Sequence, residues 1–196
     1  MVALASAAIL AGGKARRFGG RDKSRLVIEG RPIIVRQMEV LQRVAHDIFI
    51  VGPHADLYAD LGLPVYADLI PGRGALGGLF TALEVARNDS VLAVACDLPF
   101  LDAGLLARLV ERSAGRDGAW MTTGRGAEPL IACYRRGARG RVLERIRAGA
   151  LKVADLGTTI EMAAVGADEA AEFGPVDRLL ANVNTPEDFA RIESSR

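Results

Sequence analysis

Several short stretches of this 196-residue chain have the residue types and spacing to handle phosphate chemistry. In AILAGGKARRFGGRDK, an apolar run stops at Gly12 and Gly13, and Gly19 and Gly20 follow among Lys14, Arg16, Arg17, Arg21 and Lys23. Glycines without Cβ atoms let backbone N–H groups close on an anion, and the cations offset its charge. A triphosphate needs both. The spacing is neither G-x-x-x-x-G-K-[ST] nor G-x-G-x-x-G, so this is neither a Walker A loop nor a dinucleotide fingerprint. Further along, CDLPFL places Asp97 at the end of the apolar run Val91–Cys96. A carboxylate there suits Mg²⁺ held against phosphates bound by the first loop. Read alone, Asp97 serves equally well as a cap on the following turn.

Two more stretches complete the set. YADLIPGRGALGGL carries Asp68 just after a short apolar run, then Gly74, Gly77 and Gly78. An aspartate can accept two hydrogen bonds from a guanine, at N1–H and the 2-amino group, which adenine cannot offer. The glycines fit a backbone lying under a base, and they fit close packing of a helix as well. In NVNTPED, Asn182 and Asn184 share one side of an extended segment. Thr185 and Pro186 then open a helix as N-cap and first residue.

The elements that must position these residues alternate. Strands are expected at Leu4–Leu10, Asp47–Val51, Pro64–Ala67, Val91–Cys96, Ala119–Thr122, Leu130–Tyr134 and Thr158–Val165. Helices are expected at Pro32–Val44, Ala55–Leu61, Leu76–Ala86, Asp102–Arg112 with Asp102 as N-cap, Gly140–Arg147 and Pro186–Glu193. Such β-α alternation argues for an open, mostly parallel α/β sheet with helices on both faces, which binds ligands at the carboxyl ends of its strands. The suggestive residues fall just after strands. Gly115–Gly126, rich in glycine and basic residues, reads as a mobile loop.

Composition excludes broad classes. With 25 basic and 24 acidic residues, the chain has no charge excess for general binding to nucleic acid or membranes. No apolar run reaches transmembrane length. The apolar N-terminus lacks a basic n-region and reads as a first strand, not a signal peptide. Cys96 and Cys133 lie far apart in apolar runs and read as buried free thiols in a reducing, cytoplasmic setting. His46 and His54 have no partner at metal-ligand spacing and read as surface residues.

The run L-A-G-G-x-x-x-R-x-G-G-x-D-K, Leu10 to Lys23, resembles the signature of the molybdenum cofactor guanylyltransferase family, within the nucleotide-diphospho-sugar transferase superfamily. C-D-x-P-F-L at Cys96–Leu101 and the G-P-L-G-G-like Gly74–Gly78, with Ala75 for proline, match it too, so the resemblance spans nearly the whole chain. It implies a single Rossmann-like three-layer α/β/α domain over 1–196. It implies Mg²⁺-dependent transfer of GMP from GTP to the phosphate of molybdopterin, with transient contact to Mo-insertion or acceptor enzymes. By the same match Leu10, Ala11, Gly12 and Gly13 cup the nucleotide, Arg17 and Lys23 meet its phosphates, and Asp97 is the magnesium ligand. Asp68 contacts guanine, and Gly77 belongs to the loop beneath the base. Gly20, Lys152, Asn182 and Asn184 fall on the acceptor side, with EPLIACY, Glu128–Tyr134, as its strand. Some family members carry an asparagine after the second strand. Here that strand ends Ile50-Val51-Gly52-Pro53, and Val51 is the nearest equivalent. Transfer of CMP, a different phosphorylated acceptor, and a non-catalytic nucleotide- or pterin-binding role stay open at this point.

Overall fold

In the computed structural model, which describes residues 5–12 and 22–194, every residue of β1 (Ala5–Leu10) is buried. A strand without a polar face belongs in a sheet covered on both sides. Ala5, Ala7 and Ile9 pack with one apolar cluster, and Ala8 and Leu10 with another. The period-two alternation of side chains divides the strand between the two helical layers.

The chain continues through a small hairpin, β2 (Val27–Ile28) and β3 (Arg31–Pro32), into α1 (Ile33–Leu41) and β4 (Asp47–Val51). A 3₁₀ helix at Ala55–Leu61, closed by left-handed Gly62, leads to β5 (Val65–Tyr66), α2 (Gly74–Val85) and β6 (Ser90–Ala95). Then come α3 (Ala103–Arg112), β7 (Gly118–Thr123), β8 (Gly126–Arg135), α4 (Arg139–Arg147) and β9 (Met162–Val165). Short α5 (Ala167–Ala170) and α6 (Val176–Leu179) precede the final α7 (Pro186–Ser194). The main sheet has seven strands in the order β5-β4-β1-β6-β8-β7-β9. All neighbours are parallel except the pairs that β8 makes with β6 and β7. One layer is α1 and α3, against the β1 face that carries Ile9; the other is α2 and α4, against Leu10. No helix among the described residues is long and apolar enough to cross a membrane.

The expected elements are present, with differences that have physical causes. Gly115–Gly126 is not a loop. Half of it, Gly118–Thr123, is β7, hydrogen-bonded to β8 and β9, and the rest is turn at residues 115–117 and around Gly124 and Arg125. The expected strand Ala119–Thr122 lies inside β7, with Ala119 and Met121 buried in the core, and glycine content alone made its flanks read as loop. The expected strand Thr158–Val165 shortens to Met162–Val165, because Val153 and Leu156 of a 3₁₀ helix at Val153–Thr158 are buried beside α4 instead. Helix α2 starts earlier than expected, at Gly74, and is buried from Leu76 to Leu83. An apolar helix of this kind sits inside a layered core rather than on its surface.

The sheet order places β1 and β6 side by side, with Leu10 opposite Ala95. From β1 the chain proceeds to β4 on one side, and from β6 it proceeds to β7 beyond the other. This is a topological switch point, where the loops part and leave a crevice at the carboxyl ends. Past that crevice Asp102 starts α3, its Oδ1 accepting from the N–H groups of Gly104 at 2.7 Å and Leu105 at 3.1 Å. Asp102→Ala orphans both donors and should cost about 1 kcal/mol, lowering Tm by roughly 2–4 °C in a thermal melt.

Candidate functional site

Three chain segments meet at the crevice. Lys23 opens a 3₁₀ helix, Lys23–Arg25; Asp97 follows β6; Asn184 precedes α7. Lys23 Nζ donates to Asn184 Oδ1 at 2.7 Å and stands 3.7 Å from Asp97 Oδ2. The Lys23 and Asp97 side chains are only 21% and 18% exposed, so their charges are partly removed from water. Burial raises the Asp97 pKa above the usual carboxylate range, and the nearby Lys23 ammonium works against that shift. Asp97 O also accepts the Val183 N–H at 3.0 Å, which lays the C-terminal segment along the end of β6.

An apolar cluster of Ile28, Ile33, Phe100 and Val183 holds these segments together. Ile28 and Ile33 follow Lys23, Phe100 follows Asp97, and Val183 precedes Asn184. Alternation along the extended Asn182–Asn184 run buries Val183 while Asn184 turns to Lys23 and Asn182 stays exposed. Phe100 lies between two guanidinium groups, Arg36 at 5.3 Å and Arg178 at 3.8 Å from the ring centre. Both arginines pair with Glu29, at 3.0 Å and 2.7 Å, so one carboxylate ties α1 to α6 around that ring. Ahead of α7, Thr185 Oγ1 accepts the Asp188 N–H while Asp188 Oδ2 accepts the N–H groups of Asn184 and Thr185. This reciprocal cap fixes the angle at which Asn184 approaches.

Lys23 has its own support, which sequence reasoning did not find. Asp22 caps the 3₁₀ helix through Oδ1, accepting from Ser24 N at 2.8 Å, and its Oδ2 accepts from the buried Tyr58 hydroxyl. Arg25 pairs with Asp60 and lies 5.6 Å above the Tyr58 ring. The only sequence signal for Tyr58 is an aromatic residue in the short helix ADLYADL, which reads as core. Gln37 was also missed: its buried amide donates to Ala95 O at 2.7 Å and Leu98 O at 2.9 Å, bracketing Asp97. Between them Cys96 keeps a neutral thiol, its pKa raised by burial and by the carboxylates of Asp97 and Asp22.

A second group lies on the α2 side. A Cβ at Gly78 would stand 3.7 Å from Asp68 Oδ1 and 3.7 Å from Leu10 Cδ2. Leu10, Asp68 and Gly78 therefore border one slot, with room for a methyl group beside the buried Gly78. Among the described residues no hydrogen bond or ion pair engages the Asp68 carboxylate, whose pKa burial raises. Gly77 plays a different part. Its Cβ would meet Arg73 Cβ at 3.0 Å and Ile70 O at 3.1 Å, so glycine there lets the loop fold against its own helix. Ala11 N–H donates to Val51 O at 2.8 Å; Val51 thus touches the loop through its carbonyl while its side chain stays in the core. Gly12 faces open space.

The structure thus unites Leu10, Ala11, Gly12, Lys23, Val51, Asp68, Asp97 and Asn184 around the strand ends. It does not bring Lys152 to them: that side chain is 74% exposed and pairs with Asp155 at 3.2 Å. Glu128–Tyr134 lies within β8, next to β6, with the Glu128 carboxyl raised by burial. Gly13, Arg17 and Gly20 lie outside the described residues.

The chain is similar to known proteins over nearly its whole length. Residues 7–158 match the family model described as MobA-like NTP transferase domain. A Carboxydothermus hydrogenoformans protein named probable molybdenum cofactor guanylyltransferase is 35% identical over 185 residues, covering 94% of this chain and 93% of that protein. A Shewanella halifaxensis protein named molybdenum cofactor guanylyltransferase is 31% identical over 191 residues, covering 95% and 92%. The crystal structure of molybdopterin-guanine dinucleotide biosynthesis protein A from Archaeoglobus fulgidus superposes with a TM-score of 0.81 at 24% identity, covering 97% of each chain, which establishes the shared fold.

The environment of Asp68 has a measurable consequence for the ligand-free protein. Its carboxyl is a weaker acid folded than unfolded. Its contribution to stability is therefore full below the ordinary aspartate range and is lost as pH rises through the raised value. At neutral pH the ionised side chain weakens the fold. Asp68→Asn should melt above the parent at pH 7, with the gap closing on acidification as the parent carboxyl protonates; melts across a pH series check the sign.

Proposed function

This chain belongs to the family of MobA-like NTP transferase domains, and from that membership we propose that it transfers GMP from GTP to the terminal phosphate of molybdopterin. An oxygen of the acceptor phosphate attacks the α-phosphorus. The bond from that phosphorus to the α–β bridging oxygen breaks, pyrophosphate leaves, and the product is the guanine dinucleotide form of the cofactor. The observation that carries the reading is the meeting of Lys23, Asp97 and Asn184 at the strand ends, beside the slot formed by Leu10, Asp68 and Gly78.

The attacking phosphate is already anionic, so no strong base is required. Positioning and charge neutralisation do the catalysis. Lys23 offers its ammonium to the phosphates, and Arg17 adds a second cation. Gly12 and Gly13 bring backbone donors close. Leu10 and Gly78 lie beside Asp68, and the Asp68 carboxylate, engaged by no hydrogen bond among the described residues, accepts from the guanine edge. That open acceptor pair favours guanine over cytosine, whose edge lacks the matching two donors. Asn182, Asn184 and Gly20 would serve the acceptor side.

The residues fit a magnesium ion shared with substrate. Among the described residues no group of three or more His, Cys, Asp or Glu side chains could hold a metal. Mg²⁺ commonly takes one or two carboxylates and completes its shell with water and substrate phosphates. Asp97 would be the carboxylate, with the Asn184 amide oxygen nearby. The chemistry a bound Mg²⁺ supplies is neutralisation of charge on the phosphates and the leaving group. On this reading residues 1–196 act as one nucleotidyltransferase domain in the cytoplasm and pass the product to Mo-insertion or acceptor enzymes.

Asp97→Ala should lower turnover by at least about 100-fold, since the charge-neutralising centre loses its anchor. Full activity in that variant would overturn the assignment. Calorimetry with GTP, CTP and ATP, with and without Mg²⁺, tests the donor. Magnesium-dependent selection of GTP is expected, and selection of CTP would move the chain to cytidylyl transfer.

A further inference from the structure

Thr81 is a buried hydroxyl in the middle of α2, fully shielded from solvent. Its Oγ1 lies 3.0 Å from Gly77 O, one turn back, and 2.9 Å from the Leu69 backbone nitrogen. Only one assignment of protons satisfies both contacts. The Leu69 N–H can only donate and the Gly77 carbonyl can only accept. The hydroxyl therefore receives from Leu69 and donates to Gly77, in a two-bond relay whose members polarise one another.

That relay grips two peptide planes. The Leu69 N–H belongs to the peptide that joins it to Asp68, and the Gly77 carbonyl belongs to the peptide that joins it to Gly78. These are the two residues whose approach defines the slot, with the Gly78 Cβ position 3.7 Å from Asp68 Oδ1. The loop from Ala67 to Arg73 has no regular structure of its own. Ile70 O and Arg73 also pack against Gly77, on the same turn of helix. A threonine in a helix interior gains nothing in propensity over alanine, so this hydroxyl's contribution lies in its bonds.

We propose that Thr81 is a positioning residue for base selection, setting the Asp68 carboxylate against Gly78 at the spacing a guanine edge requires. The inference rests on the reading of Asp68 as the guanine acceptor. Thr81 does not touch the nucleotide. It acts by holding the peptide plane that follows Asp68 in a fixed orientation, so that two acceptor oxygens, rather than one, face the base. Triphosphate binding, which belongs to the Lys23 and Asp97 side of the crevice, is independent of it.

The test is calorimetric, on the full chain with Mg²⁺, comparing GTP with inosine triphosphate, which differs only in lacking the 2-amino group. The parent should prefer GTP by about tenfold or more, the worth of one hydrogen bond to a carboxylate. Thr81→Val keeps the shape and removes the hydroxyl. It should reduce that preference to less than about threefold while inosine triphosphate affinity changes little, and Thr81→Ser should restore the preference. A parent that discriminates together with a Thr81→Val variant that discriminates equally would overturn the role of Thr81 and leave Asp68 in place. A parent with no preference would overturn the guanine reading itself, and this inference with it. Should Thr81→Val fail to fold, amide exchange of Leu69 in the parent decides: strong protection that persists in Thr81→Ser is expected, and free exchange in the parent would overturn the proposal.

Discussion

The candidate site depends on a small apolar cluster that belongs to neither main core. Ile28, Ile33, Phe100 and Val183 come from three separate segments, and each segment carries one polar member of the site. Burying a side chain of this size yields roughly 1.5–3 kcal/mol. That gain is made only when the three segments are together, so it works against the dispersal of Lys23, Asp97 and Asn184. The polar groups could not assemble themselves. Lys23 and Asp97 lose hydration on approach, and a pair of charges in such a place returns little net stability. Apolar burial around them supplies the driving force, and the hydrogen bonds set the geometry.

The same division of labour runs outward. Tyr58 and Asp22 hold the turn from which Lys23 projects, and Gln37 holds the backbone on both sides of Asp97. Among the described residues Gln37 Oε1 is buried with no hydrogen-bond partner. A group in that state costs about 1–3 kcal/mol. Burial likewise raises the pKa of Asp97 and Asp68, which disfavours the ionised form of each. Unfavourable terms gathered around one crevice are the usual mark of a site shaped for a ligand rather than for stability.

The two sides of the crevice answer different needs. On the Lys23 and Asp97 side, charge and amide groups converge from distant parts of the chain, as a polyanion requires. On the α2 side the neighbours are apolar or uncharged apart from one carboxylate: Leu10, Gly78 and Asp68. Adjacent parallel strands β1 and β6, with Leu10 opposite Ala95, bring these sides within reach of one molecule. A nucleoside triphosphate has this same division, a flat base at one end and concentrated charge at the other.

The sequence by itself determined the layered α/β class, because apolar runs and helical spacing alternate along the chain, and local pattern reports secondary structure well. It also singled out Lys23, Asp68, Asp97 and Asn184, because glycines, cations and carboxylates placed just after strands carry their chemistry in their types. The exact edges of β7 and β9 were not legible, since glycine content and β-branched runs are local signals and the pairing with β8 and the packing around Trp120 are not. Nor could the sequence separate the two neighbouring glycines, Gly77 packed on its own loop and Gly78 packed beside Asp68 and Leu10. Tyr58, Gln37 and Thr81 read as ordinary core or helix residues, and only the tertiary structure decided that Tyr58 meets the Asp22 carboxylate beside Lys23 while Gln37 and Thr81 meet the backbone beside Asp97 and Asp68. A hydrogen bond between residues tens of positions apart leaves no spacing to read; it exists only once the sheet order has set which strand ends are neighbours.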